Sequence, residues 1–282
     1  MAKVSASVAI NKAFDAVRPG WSAAWGTMLL VAAANTALQV WAATLATPAA
    51  VARASIMANL SHYLLIIPIV VALIVAAVMA YAGLYRIGLG QSSDLGPAGL
   101  QWNAQEWRVL GATALILLIV LPPAAGWGGL VSFETAKISA GHVGGAALAV
   151  FWTAFAALLI LVALLIWVST RLSPFLAATI DQKRVVLFSV WGLTQGCFWA
   201  IFGASFVVGL ASGLVGVLGQ ILALAIKAGE GAIVHPTVVQ AIAPALVQSV
   251  AGIALMPAKI GLMVYFYKAL RPNQAQVADI FS

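Results

Sequence analysis

Six long apolar runs, spread over 282 residues, limit what this chain can become more than any motif does. They cover roughly 25–46, 63–85, 109–131, 146–168, 198–226 and 239–267, and only the last carries a charged residue, Lys259. A helix of about 20 apolar residues crosses the hydrocarbon of a bilayer and satisfies its own backbone there. Strands of a membrane barrel would instead alternate in polarity over about ten residues. The expected fold class is therefore all-α, a polytopic membrane helical bundle of six transmembrane helices. Composition agrees, with 63% hydrophobic and 7% charged residues and a mean hydropathy of +1.06. A soluble domain carries about 25% charged residues. These values exclude a water-soluble enzyme, a nucleic-acid-binding module and a disordered tail.

The few charges are distributed unevenly. With the N-terminus placed in the cytoplasm, Lys3, Lys12, Arg18, Arg86, Arg108, Arg171, Lys183, Arg184, Lys268 and Arg271 share one side. Arg53, Lys137 and Lys227 fall on the other, and Lys259 lies inside the sixth run. Basic residues are retained on the cytoplasmic side of short loops, so both termini are expected there. The net charge of +7 then reads as contact with anionic lipid headgroups, with no nucleic-acid partner implied. Residues 1–20 lack the continuous apolar core of a secretory signal, and the first run is expected to remain as an anchor.

A three-fold layout recurs through this single membrane domain of residues 1–282. Aromatic sets precede the odd-numbered runs: Trp21 with Trp25, Trp102 with Trp107, and Trp191 with Phe198 and Trp199. The spacing, about 80–90 residues, suits one hairpin plus its lead-in. Three pseudo-repeated hairpins follow, approximately 1–85, 86–168 and 169–271, with a short cytoplasmic tail at 272–282. The lead-ins 5–17, 96–107 and 185–193 are expected to be cytoplasmic interfacial helices lying along the membrane surface.

The segment Trp191-Gly192-Leu193-Thr194-Gln195-Gly196-Cys197-Phe198-Trp199 resembles the W-x-L-T-x-G-x-F-W signature of a broad bacterial family. That family includes the membrane domain fused to some glycerophosphodiester phosphodiesterases and stand-alone relatives of the YciC type. Members often have Ser directly before the first Trp; here Val190 stands there and Ser189 precedes it. The stretch from Gly83 to Arg108 is more loosely similar to the second cytoplasmic segment of stand-alone members. The resemblance implies six helices and a bacterial inner (cytoplasmic) membrane location. It implies little about activity, because the stand-alone members mostly have no assigned function, and the chain departs from the fused phosphodiesterases in having no polar segment long enough for a soluble catalytic domain. Within the signature, Thr194 and Gly196 are expected to shape a turn whose depth the aromatics fix.

Ionisable groups inside a membrane are where function is sought first. Lys259, in Leu255-Met256-Pro257-Ala258-Lys259, is the membrane-embedded polar candidate. It is either a binding or gating cation facing a polar cavity or a lysine snorkelling to the headgroups. His62, His142 and His235 follow Trp25, Trp107 and Trp199 by 37, 35 and 36 positions, all on the non-cytoplasmic side. Three imidazoles at matching positions can converge on a metal, or can simply bind water and backbone. Gly209, Gly213 and Gly216, with Ser212, read as a helix-packing stripe. Cys197, the single cysteine, excludes an intrachain disulfide. No phosphate loop, triad or paired intramembrane carboxylates identify an enzyme, and no cofactor is named by a motif.

Three functions are compatible with these residues. The first is a non-enzymatic multipass protein serving as scaffold or accessory factor for a membrane complex or lipid process, its partners being the bilayer and a protein. The second is a small-molecule or lipid transporter with a site near Lys259, helped by the polar Asn35, Gln39, Gln220 and Gln248. The third is a metal- or haem-handling protein using the histidines.

Overall fold

The computed structural model of the chain describes residues 5–44, 56–91, 96–118, 145–186, 189–229 and 238–271, and among these every regular element is helical. In chain order they are α1 (Ala6–Asp15), α2 (Val17–Thr44), α3 (Ile56–Leu89), α4 (residues 104–118), α5 (Gly145–Leu172), α6 (Phe175–Asp181), α7 (Ser189–Leu193), α8 (Phe198–Gly229), α9 (Val238–Ile253) and α10 (Met256–Leu270). Among the described residues five stretches are long and apolar enough to cross a membrane: Val17–Ala43, Ile66–Leu89, Phe155–Asp181, Phe198–Gly229 and Val238–Leu270. The expected third span begins as α4, and its remainder lies outside the described residues.

The first span starts earlier than its hydropathy suggests. Pro19 occupies the first turn of α2, where its missing N–H costs no hydrogen bond, so the helix opens at Val17. The 28 residues of α2 reach about 42 Å at 1.5 Å per residue, more than the roughly 30 Å of hydrocarbon. At Ala24 the helix kinks (φ −116°, ψ 23°), and Thr27 Oγ1 donates to the Ala24 carbonyl at 2.9 Å.

The chain divides into two compact units, residues 1–107 with 199–282, and residues 108–198. One division directly follows Trp107 and the other separates Phe198 from Trp199, so each lies at an aromatic set that precedes a span. In the first unit α2 packs on α3 and α9, while α10 packs on α1, α3 and α2. Glycines set the closest approaches. A Cβ on Gly20, Gly88 or Gly261 would lie 2.6, 2.9 and 2.5 Å from side-chain carbons of Pro257, Val264 and Ala16. Small residues at such contacts are how helices gain dispersion energy in lipid, where burial of apolar surface gives little. In the second unit α5 packs on α7.

Two expectations are corrected. The stripe in α8 is not a contact among the described residues: Gly203, Gly209, Gly213 and Gly216 face open space, and only Gly219 closes on a neighbour, Ala251. The lead-ins also differ from one another. The first is a helix, α1, burying Ala9 and Ala13 while Val8, Lys12 and Phe14 stay exposed. The second is no in-plane helix: Pro97–Gly99 forms a 3₁₀ turn, with positive φ at Ala98 (58°) and Gly99 (76°) that a right-handed helix cannot continue. In the third, Ser189–Leu193 is helical and no other described residue is.

That 3₁₀ turn seats on the kink of α2. A Cβ on Gly26 would come 2.7 Å from the Ala98 Cβ, and one on Gly99 would come 3.2 Å from the Ala24 Cα. Gly99→Ala therefore suffers both backbone strain and a clash, and should cost about 1–3 kcal/mol. Gly90 also has positive φ (85°) but open space around it, so Gly90→Ala should cost about 1 kcal/mol from strain alone. Thermal unfolding of the purified variants followed by circular dichroism checks the order; equal losses would contradict the seating.

Candidate functional site

The largest fully buried side chain in the described structure is charged. Arg86, in the last turn of α3, and Glu106, in the first turn of α4, are each 1% exposed and form a salt bridge through Nη2 and Oε1. Arg86 Nε donates to Gln105 Oε1 at 2.6 Å, and Nη2 donates to Asn103 Oδ1 at 3.1 Å. The second carboxylate oxygen of Glu106 accepts the Asn103 backbone N–H at 2.7 Å, while Asn103 Oδ1 accepts the Gln105 N–H at 2.8 Å. Asn103, the residue before the helix, thus caps the N–H of its second residue, Gln105, while Glu106, its third, reaches back to the Asn103 N–H as in a capping box.

Local sequence explains why the two ends meet. Gly90 (φ 85°) terminates α3, with its N–H on the Ile87 carbonyl and the Gln91 N–H on the Arg86 carbonyl. That is the Schellman closure, which favours glycine at the left-handed position. A cation thus sits at the negative end of one helix dipole and an anion at the positive end of the next, the favourable sense for both. Taking two charges out of water costs several kcal/mol per ion, so a pair this buried persists only when its remaining donors and acceptors are also matched. Here Asn103, Gln105 and the helix start supply those matches. The group is closed, with its charge directed inward.

Lys259 takes a different place. A turn at Ala254 and Leu255 splits the sixth span into α9 and α10, and Lys259 is exposed on the first turns of α10. Pro257 has no N–H to give to the preceding turn, and the break it leaves is closed by protein. Trp21 Nε1 donates to the Ala254 carbonyl at 2.9 Å, and Gly20 lets Pro257 approach. Two residues beyond Lys259, Gly261 rests on Ala13 and Ala16 at the end of the amphipathic helix α1. Of the polar span residues, Gln39 reaches Ser249 at 3.3 Å across α2 and α9, whereas Gln220 is exposed on α8.

His62 falls in the first turns of α3, and His142 and His235 lie outside the described residues, as do Glu134 and Glu230. Among the described residues no three His, Cys, Asp or Glu side chains gather as a metal site would require.

The signature segment folds as a short helix and a turn. Gly196 adopts φ 81°, and buried Thr194 donates from Oγ1 to the Trp191 carbonyl at 3.1 Å and, across to α5, to the Arg171 carbonyl at 3.2 Å. Trp191 meets Trp167 edge to face at 4.9 Å between centroids. The Arg171 guanidinium carbon lies 5.8 Å from the centroid of each ring. A cation over aromatic faces gains about 0.5–2 kcal/mol.

The sequence places Arg86 and Arg108 among the basic residues of one side but does not pair Arg86 with Glu106. The detectable signal was Asn103-x-x-Glu106, a capping pattern directly before an apolar run. No family model, curated protein or solved structure matches the chain.

Removing one member of the clasp leaves the other charge buried alone. Arg86→Ala and Glu106→Ala should each cost about 3–5 kcal/mol. The double variant Arg86→Met/Glu106→Leu should cost clearly less than the sum, with a coupling of about 0.5–3 kcal/mol. Chemical unfolding in detergent checks this; strict additivity would contradict the pairing.

Proposed function

We propose that the protein is a non-enzymatic multipass inner-membrane protein, related to the stand-alone YciC-type members, that acts as a scaffold or accessory factor for a membrane complex or a lipid process. One observation carries the reading: the deeply buried charges Arg86 and Glu106 neutralise each other and brace helix ends. A charged pair used this way stabilises a platform and does not present chemistry to a substrate. Large apolar side chains point outward along the long helices, including Leu159, Ile160 and Leu164 on α5 and Phe206, Leu214 and Leu218 on α8. Such faces suit lipid chains or the helices of a partner. With termini in the cytoplasm, as the basic residues suggest, α1 would present its polar residues to that side.

A transporter with a site near Lys259 is the second reading. It is favoured by the interruption of the sixth span at Ala254 and Leu255, since broken helices build binding sites in many transporters. Against it stand the indole seal on the Ala254 carbonyl and the exposed setting of Lys259, which suits an ammonium reaching headgroups.

The two readings part experimentally. Mild-detergent affinity purification of the full chain from its membranes should recover a partner at fixed stoichiometry, retained by Lys259→Ala. A lone monomer from every detergent tested, with ligand-dependent stabilisation lost in Lys259→Ala, would overturn the scaffold in favour of the transporter.

A further inference from the structure

Among the described residues Arg171 has no carboxylate partner. Its Nε and Nη1 are enclosed and make no hydrogen bond among the described residues, and Nη2 is the guanidinium nitrogen not enclosed in this way. Trp167 and Trp191 flank the group, and Thr194 fixes the Arg171 carbonyl, so two residues of the signature turn hold this one arginine. An arginine clamped by rings and short of acceptors is prepared for an anion brought from outside, and its planar fork matches the oxygens of a phosphate.

Beside it lies an apolar cleft of about 220 Å³ whose lining includes Leu165, Val168, Leu172 and Phe175 together with Ser169 and Ser173. Arg171 and Leu172 are consecutive on α5, so the cation and the cleft occupy neighbouring faces of one turn. The volume is below the roughly 300–1,000 Å³ of a pocket for a drug-sized molecule and suits a slender chain. Lys183 and Arg184, exposed just after α6, are the next basic residues along the chain and serve as the comparison for Arg171.

We infer that this is a phospholipid site, with the phosphate of an anionic phospholipid on the Arg171 guanidinium and one of its acyl chains in the cleft. Tryptophan flanking the cation is the residue that favours headgroup depth, and an apolar slot next to a phosphate-binding group matches the two ends of a lipid. An acidic side chain from a partner protein would answer the guanidinium but leave the slot unexplained. The inference stands apart from the scaffold reading, since lipid selectivity and partner recovery are separate measurements.

The test uses the full chain in dodecylmaltoside, titrated with dioleoylphosphatidylglycerol, dioleoylphosphatidylcholine or soluble glycerol 3-phosphate. Native mass spectrometry and thermal stabilisation give the apparent affinities. Phosphatidylglycerol should bind about fivefold tighter than phosphatidylcholine, the gain expected of one basic residue near a headgroup. Glycerol 3-phosphate, lacking the chains, should not displace it. Arg171→Gln should bring the ratio to about one, while Lys183→Gln/Arg184→Gln should keep most of it. Equal affinities in the wild type would overturn the site without recourse to any variant, which covers the case in which Arg171→Gln fails to fold. Full selectivity in a folded Arg171→Gln would overturn it too. Displacement by glycerol 3-phosphate would assign a free phosphate instead, and a protein released only by Arg171→Gln, with no lipid selectivity, would assign a protein partner; either overturns the lipid.

Discussion

The salt bridge between Arg86 and Glu106 is the contact on which the described junction of α3 and α4 depends. It joins the last turn of α3 to the first turn of α4, and the connector between them gains its shape from those two anchors. Gly90 closes one helix, Asn103 opens the next, and the 3₁₀ turn at Pro97–Gly99 is carried against the kink of α2 at Ala24. A buried ion pair is often no more stable than an apolar replacement, because desolvation consumes most of the Coulomb attraction. Its contribution is directional. Only one arrangement of α3, α4 and their connector satisfies the guanidinium, the carboxylate and the exposed backbone of two helix ends together.

Two arginines near helix ends thus meet two solutions. Arg86 is matched by a carboxylate and two side-chain amides, with charge cancelled inside the protein. Arg171 is matched by aromatic faces, which attract the cation without neutralising it. The difference decides what each can do: the first is a structural joint, and the second keeps a net charge for an anion. Lys259 is a third case, a flexible ammonium on an exposed helix face.

Much of the architecture was legible from hydropathy alone. Runs such as 63–85 admit no other structure than a helix, and five of the expected spans coincide with long apolar helices. What hydropathy missed was set by tertiary contact. The start of α2 at Val17 follows from Pro19 and from Trp21 reaching across to Ala254, a partner 233 residues away. Gly20, Gly88 and Gly261, scattered singly in the sequence, make the tight contacts, while the regular stripe at Gly209, Gly213 and Gly216 meets no neighbour among the described residues. Spacing indicates that a helix face is smooth; it does not identify what lies against it. The signature turn behaved as its residues suggested, with Thr194 buried and Gly196 left-handed, but that it gripped Arg171 could be seen only once α5 was in place.

The central claim, that buried charge here serves to lock helix ends together, is tested most directly by hydrogen–deuterium exchange on the full chain in lipid nanodiscs. The amides of Gly99, Leu100, Asn103 and Gln105 all donate within the connector or to the clasp. Their exchange should be slowed to rates approaching those of α3, and the Asn103 amide should be released selectively in Glu106→Gln. Exchange of these amides at the rate of an unstructured peptide in the wild type would contradict the account.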